Sequence, residues 1–167
     1  GRGVYFGKQH DRTVEYWQRY YAYLEEKGYD PLAEERVECC SFYNPKTGER
    51  MDWNVRALTS SGKLLDMYIR AGAEASAVNR TSGAAAIPMD DLSEYLGENP
   101  AASAQMIRTS LRDAATAFAE AHPDFIVGID LTINMRGEVV LFEANAGHVG
   151  GLQTMSSIQT GRIGGRC

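Results

Sequence analysis

The stretch that most limits what this chain can become is residues 126–145, IVGIDLTINMRGEVVLFEAN, where two apolar runs meet at a tight turn around Arg136-Gly137. Alternation puts Val127, Ile129, Leu131 and Ile133 on one face of the first run and Gly128, Asp130, Thr132 and Asn134 on the other, so Asp130 interrupts an otherwise apolar element. Asp130 and Glu143 are 13 positions apart. Any even loop, of two or four residues, therefore makes them direct cross-strand partners. Like charges in that position destabilise a sheet. A divalent cation between them would remove the cost, because hard cations such as Mg²⁺ are held by one or two carboxylates together with phosphate oxygens. Asn145, two residues beyond Glu143, points the same way and can add an amide oxygen. The other reading is an ordinary solvated hairpin whose acids face water.

A chain of 167 residues with 44% hydrophobic residues is long enough for one domain with a sizeable core. Its net charge of −5 and the lack of a long basic run argue against a nucleic-acid partner. No run approaches the length of a membrane-spanning helix, and the first residues lack the apolar segment of a secretory leader. A soluble cytoplasmic protein without a membrane partner is therefore expected. Cys39 and Cys40 are adjacent and Cys167 is terminal, a pattern that suits neither a disulfide framework nor a C-x-x-C metal site. Both adjacent cysteines are expected to be reduced strand residues.

Along the chain, residues 1–3 resemble the exit from a glycine-rich turn. Residues 11–27 are predicted to form a helix, with Asp11 as N-cap, Val14, Trp17, Tyr21 and Leu24 as its apolar stripe, and Gly28 just past its end. Residues 36–43 are predicted as a strand, and residues 52–59 and 64–70 as a hairpin across Ser60-Ser61-Gly62. A loop of small residues follows. Asp90 and Asp91 can cap a short helix to Leu96, and Asn99-Pro100 opens a long helix to about His122, with Ala104, Ile107, Leu111, Ala114, Ala115 and Phe118 along one face. Pro123 stops it. The glycine-rich tail leaves room only for a short helix. Strands interrupted by two long helices imply an α+β fold, an antiparallel sheet with helices packed on one face and the other face free for a ligand.

Three more polar positions join the hairpin. Asp52, Asn54 and Arg56 share a strand face, Arg70 ends the partner strand, and Asn79 lies in the small-residue loop. An arginine beside two acids is ordinarily an ion pair, whereas two arginines, two acids and a glycine-rich loop suit a nucleoside triphosphate. In this order the residues resemble the C-terminal portion of the ATP-grasp superfamily, above all the carboxylate–amine ligases such as glutathione synthetases, D-alanine ligases and ribosomal-protein glutamate ligases. The likeness runs through almost the whole chain. Its most specific parts are the Asp130–Glu143 spacing and the Glu143-Ala144-Asn145 triplet.

The resemblance implies an ATP-grasp domain over residues 1–167, cut at its glycine-rich loop and without the N-terminal substrate domain. It implies that Asp130, Glu143 and Asn145 bind Mg²⁺ or Mn²⁺, that Gly1 and Gly3 belong to the phosphate loop, and that Glu38 and Cys39 lie against the adenine. Asp52 would accept from the ribose, Arg70 would contact the transferred phosphate, Arg56 would hold phosphate or the carboxylate substrate, and Asn79 would support phosphate or metal. The implied reaction is ATP-dependent ligation of a small-molecule or peptide carboxylate to an amine through an acyl phosphate. A small-molecule kinase, a non-catalytic nucleotide-binding module and a structural domain with coincidental acids are the alternatives, and a homo-oligomer is left open. The chain departs from the family in lacking the strand lysine ahead of the glycine loop, since Lys8 follows it, and in lacking the proline often found after the triplet. His148 has no assigned role.

Overall fold

A computed structural model describes residues 14–28, 37–73, 84–97, 100–146 and 149–161. Two compact units divide the chain. Residues 2–37 make the smaller, and residues 38–167 with Gly1 make the larger. In the smaller unit α1 spans Val14–Glu26. It ends as its sequence predicts, with Gly28 at φ +78° and its N–H bonded to the Glu25 carbonyl. Tyr16, Tyr20 and Tyr23 stack in sequence along it, while Val14, placed on the apolar stripe by periodicity, is largely exposed. Asp11 lies outside the described residues.

The larger unit is α+β. Its strands β1 (Met51–Ser60), β2 (Lys63–Ala73), β3 (Ala85–Pro88), β4 (Val127–Ile133) and β5 (Val139–Ala146) form one sheet in the order β3-β2-β1-β4-β5, every pair antiparallel. The β1–β2 hairpin closes through two residues, Ser61 and Gly62, both at positive φ, the backbone sign that matches the twist of paired strands. Helix α3 (Pro100–Ala121) begins at the proline and packs on the first face of the sheet. There Ala104, Leu111 and Ala115 meet Val55, Ala57, Ile69, Ile129 and Leu131 in the main core, with the short helix α2 (Leu92–Tyr95) contributing Leu92. Alanines at the contact points let the helix approach closely.

Three expectations need correction. Residues 37–43 are not a strand. They meet Asn134 and Arg50, just outside β4 and β1, through isolated bridges at Cys39 and Tyr43; the first is made by the Cys40 N–H to the Ile133 carbonyl and the Met135 N–H to the Glu38 carbonyl, while the Cys40 carbonyl accepts instead from Trp53 Nε1 at 3.0 Å. Arg70 does not end its strand, which continues to Ala73 opposite Met51. The helices are not confined to one face either. Helix α4 (Leu152–Gln159) sets Met155 against Leu58, Tyr68 and Ala86 on the second face, covering its β2–β3 side. No helix among the described residues is long and apolar enough to cross a membrane.

Candidate functional site

The second face carries the polar residues, arranged in rows that follow from register. One row crosses all five strands as Pro88, Tyr68, Arg56, Asp130 and Glu143. The next towards one end is Ala86, Arg70 and Asn54, and the next towards the other is Asp66, Leu58, Gly128 and Asn145. Asp130 and Glu143 are direct partners, as expected, but for a different reason. Five residues separate the last paired positions, Ile133 and Val139, and that odd loop alone would set Asp130 opposite Phe142. A bulge between the Asp130 and Leu131 pairs inserts Phe142 and restores the partnership. Asn134 builds the loop, its Oδ1 accepting from the N–H groups of Arg136 and Glu138 at 2.9 and 3.0 Å.

Asp130 is buried at 5% exposure on a strand that is buried along its whole length. The burial is made tolerable by two arginines. Arg70 Nη2 lies 2.5 Å from Asp130 Oδ2, and its Nε donates to Asn54 Oδ1 at 2.9 Å. Arg56 Nε lies 2.9 Å from Asp130 Oδ1, yet neither atom has a hydrogen-bond partner, so this contact is electrostatic rather than a directed bond. Arg56 Nη1 is also buried without a partner. The carboxyl of Asp130 is raised above its ordinary value. Burial is the largest cause, Arg70 and Arg56 oppose it, and the charge of Glu143 adds to it. The two guanidiniums and the Asp130 carboxylate sum to one positive charge, which the carboxylate of Glu143 in the same row offsets.

The structure thus brings Asp130, Glu143, Asn145, Arg56 and Arg70 to one face, with Glu143 exposed and Asn145 half-buried at the β5 edge. Asp52 lies on the same strand face as Asn54 and Arg56, half-buried and opposite Gly72. Glu38 is exposed and Cys39 half-buried, and three backbone groups of their segment, on Glu38 and Cys40, are engaged inside the fold as described above. Gly1, Gly3, Asn79 and His148 lie outside the described residues. Among the described residues no three histidine, cysteine or acidic side chains converge to hold a metal. The candidate metal set is two carboxylates and an amide oxygen, a hard-oxygen set of the kind Mg²⁺ completes with phosphate. The oxygen type suits that ion, while both oxygens of Asp130 lie against guanidiniums, and Arg56 Nη1 is a buried donor without a hydrogen-bond partner.

Three residues that shape this face were not singled out from the sequence. A Cβ on Gly128 would stand 2.7 Å from Arg56 Nη1, so the guanidinium lies over bare backbone. A lone glycine inside a strand is the signal for such an approach. Gly151, at φ +110°, brings the start of α4 onto Tyr68, whose hydroxyl would be 2.7 Å from an added Cβ. Tyr68 itself, 1% exposed, seals the row beside Arg56. The chain matches no known protein family, no characterised protein and no solved structure.

Proposed function

We propose that this face binds the phosphates of ATP, and that the chain is the nucleotide-binding portion of an ATP-dependent carboxylate–amine ligase of ATP-grasp type. The observation that carries the reading is the convergence of Arg56 and Arg70 on Asp130, with Glu143 and Asn145 beside it on the adjacent strand. Two buried guanidiniums on neighbouring strands give a rigid positive surface for phosphoryl oxygens in a place shielded from water, where such contacts count most. Mg²⁺, when bound, would neutralise phosphate charge. Asp130, Glu143 and Asn145 are the residues that would hold it.

No protein nucleophile is needed. A substrate carboxylate attacking the γ-phosphoryl group requires alignment and charge neutralisation, and Arg70, fixed at both Nε and Nη2, is the better anchored of the two cations for the group in transfer. Arg56, incompletely bonded, retains capacity for a further oxygen. The engagement of Asp130 by both arginines supports one other reading, a structural ion cluster with no ligand.

Calorimetric titration of ATP with and without Mg²⁺ separates the two. Binding that Mg²⁺ strengthens, that disappears in Asp130→Asn, and that Glu143→Gln weakens far more with Mg²⁺ than without it is the expected result. Because Glu143 is exposed, its amide variant should fold as the parent does. Equal losses with and without Mg²⁺ in Glu143→Gln would remove the metal role, and no ATP binding by the parent chain would leave the structural cluster.

A further inference from the structure

Residues 149–159, VGGLQTMSSIQ, lie on the second face as a strap without a single charged side chain. Val149 packs against the cluster of Leu58, Tyr68, Ala86 and Met155, and Tyr68 is the cross-strand partner of Arg56. Over Gly128, the Val149 Cγ1 and Arg56 Nη1 together fill the space a side chain would take, at 3.3 and 2.7 Å from where its Cβ would stand. Gly151 then closes on the Tyr68 hydroxyl. Under this cover Arg56 Nη1 is buried and has no hydrogen-bond partner, a costly state for a charged donor that an uncharged strap cannot relieve. The strap is lightly held. Met155 is its one buried residue, and its far end is tied by an exposed bond from Gln159 Nε2 to Asp66 Oδ2 at 2.8 Å. On the other side Val149 and Leu152 border a cleft of about 440 Å³ facing Asp124, Phe125 and Ile126, so nothing packs them from there. Burying one methionine side chain favours the closed position by about ten- to a hundredfold.

We propose that this strap is an autoinhibitory latch: closed, as here, it covers Arg56, and it lifts from Gly128 and Tyr68 to open the arginine cluster to a phosphate-bearing ligand. The protein is then held mostly in a form that cannot bind, and the affinity it shows is reduced by the fraction of open strap. Whatever draws Met155 out of its pocket raises that fraction. The cover rests on the packing alone. Its role as a regulator of ATP binding rests on the reading of this face given above.

Labelling of the whole chain with phenylglyoxal, followed by peptide mass spectrometry with the exposed Arg136 as internal standard, measures opening without any ligand. In the parent, Arg56 should react more slowly than Arg136 by a factor close to the hydrogen-exchange protection of the Met155 amide, which bonds to the Gly151 carbonyl, and far below the protection of the Leu111 amide in α3. Arg56 protected as strongly as Leu111 would mean that only global unfolding uncovers it, which overturns the latch. Met155→Ser should speed the labelling of Arg56 about tenfold or more. Gln159→Ala, at an exposed position where folding is not at risk, should speed it about threefold with the exchange of Leu111 unchanged. Unaltered labelling in Gln159→Ala and Met155→Ser would also overturn the proposal. A titration of Mg²⁺-ATP into the same samples keeps the two ideas apart, since its affinity should rise in each variant by the factor by which Arg56 reacts faster. Faster labelling at equal ATP affinity refutes the inhibitory role. Faster labelling with ATP bound by none of the chains upholds the cover and refutes the ATP reading, whereas ATP binding with unaltered labelling refutes the latch alone.

Discussion

Replacing Arg70 by Met removes the better directed of the two cations on Asp130 while keeping a long side chain in a position that is 5% exposed. Two interactions are lost, the contact to Asp130 Oδ2 and the bond to Asn54 Oδ1. Asp130 is left with Arg56, whose approach is not a directed hydrogen bond. Stripping one partner from a buried ion cluster costs about 3–5 kcal/mol. That is a large part of the roughly 5–15 kcal/mol by which a domain is stable. With a urea m-value of about 2 kcal/mol/M the midpoint should fall by about 1.5–2.5 M. Fluorescence of Trp53, in a Trp17→Phe background so that only the larger unit reports, would follow it beside far-UV circular dichroism. The loss should also depend on pH. Burial already raises Asp130, and removing Arg70 takes away the strongest opposing influence, so the carboxyl of the variant lies higher still. A group raised in the native state contributes its stability in full below its unfolded value of 3.8 and loses it as pH climbs through the native value. The variant therefore regains stability as pH falls from 7 towards 4 more steeply than the parent, and the gap narrows by about 1.4 kcal/mol for each unit separating the two native values. A loss under about 1 kcal/mol, or a gap unchanged across that range, would refute the claim that Arg70 holds a buried ionised Asp130.

Two further outcomes test other parts of the molecule. Gly151→Ala places a side chain at φ +110° with its Cβ 2.7 Å from the Tyr68 hydroxyl, so a loss of about 1–3 kcal/mol, seen as a drop in Tm of several degrees by calorimetry, is expected; an unchanged Tm would mean that α4 does not rest on Tyr68 as described. Burial, with the neighbouring Cys39 adding to it, pushes the Cys40 thiol up to about 11, leaving about a thousandth of it as thiolate at pH 8, so iodoacetamide should label Cys40 at least a hundredfold more slowly in the folded protein than in urea; equal rates by peptide mass spectrometry would contradict its buried setting.

The parts of this fold legible in the sequence are those governed by local period and punctuation. The hairpin expected over 52–59 and 64–70 forms, with its strands running on to Met51 and Ala73, and α3 followed from Pro100 and its alanine-rich stripe. Residues 37–43 misled because an apolar composition does not say whether a backbone will find a ladder. Here the pairing stops at single bridges, and the indole of Trp53 takes the Cys40 carbonyl. The short helix that the glycine-rich tail allows forms as α4, but what holds it, Met155 on Leu58 and Tyr68, is a contact between distant segments that local pattern does not reveal. At the site, alternation marked Asp130 and Arg56 as polar strand positions, but the pairing of Asp130 with Glu143 was expected from an even loop and comes instead from an odd loop and a bulge, and local pattern could not say which acid would be buried. That depends on strand order. With β4 inside the sheet and β5 at its edge, Asp130 is enclosed between arginines and Glu143 meets solvent.

The bulge at Phe142 is what lets a single hairpin serve both faces of the sheet. From the turn up to Leu141, β5 is in the register of its loop, with Val139 opposite Ile133 and Leu141 opposite Leu131, all on the side of the main core. Continued unbroken, that register would set Glu143 opposite Ile129 and direct its carboxylate into the apolar layer beneath α3. One extra residue reverses the parity of everything beyond it, because side chains alternate with a period of two. Glu143 and Asn145 then stand on the face of Asp130 and Gly128, while Ala144 and Ala146 take the core side opposite Ile129 and Val127. The apolar half of the hairpin nearest the turn and its oxygen-bearing half at the far end thus obey different registers. The position of Asp130 at the junction is what joins the arginine cluster to the β5 edge.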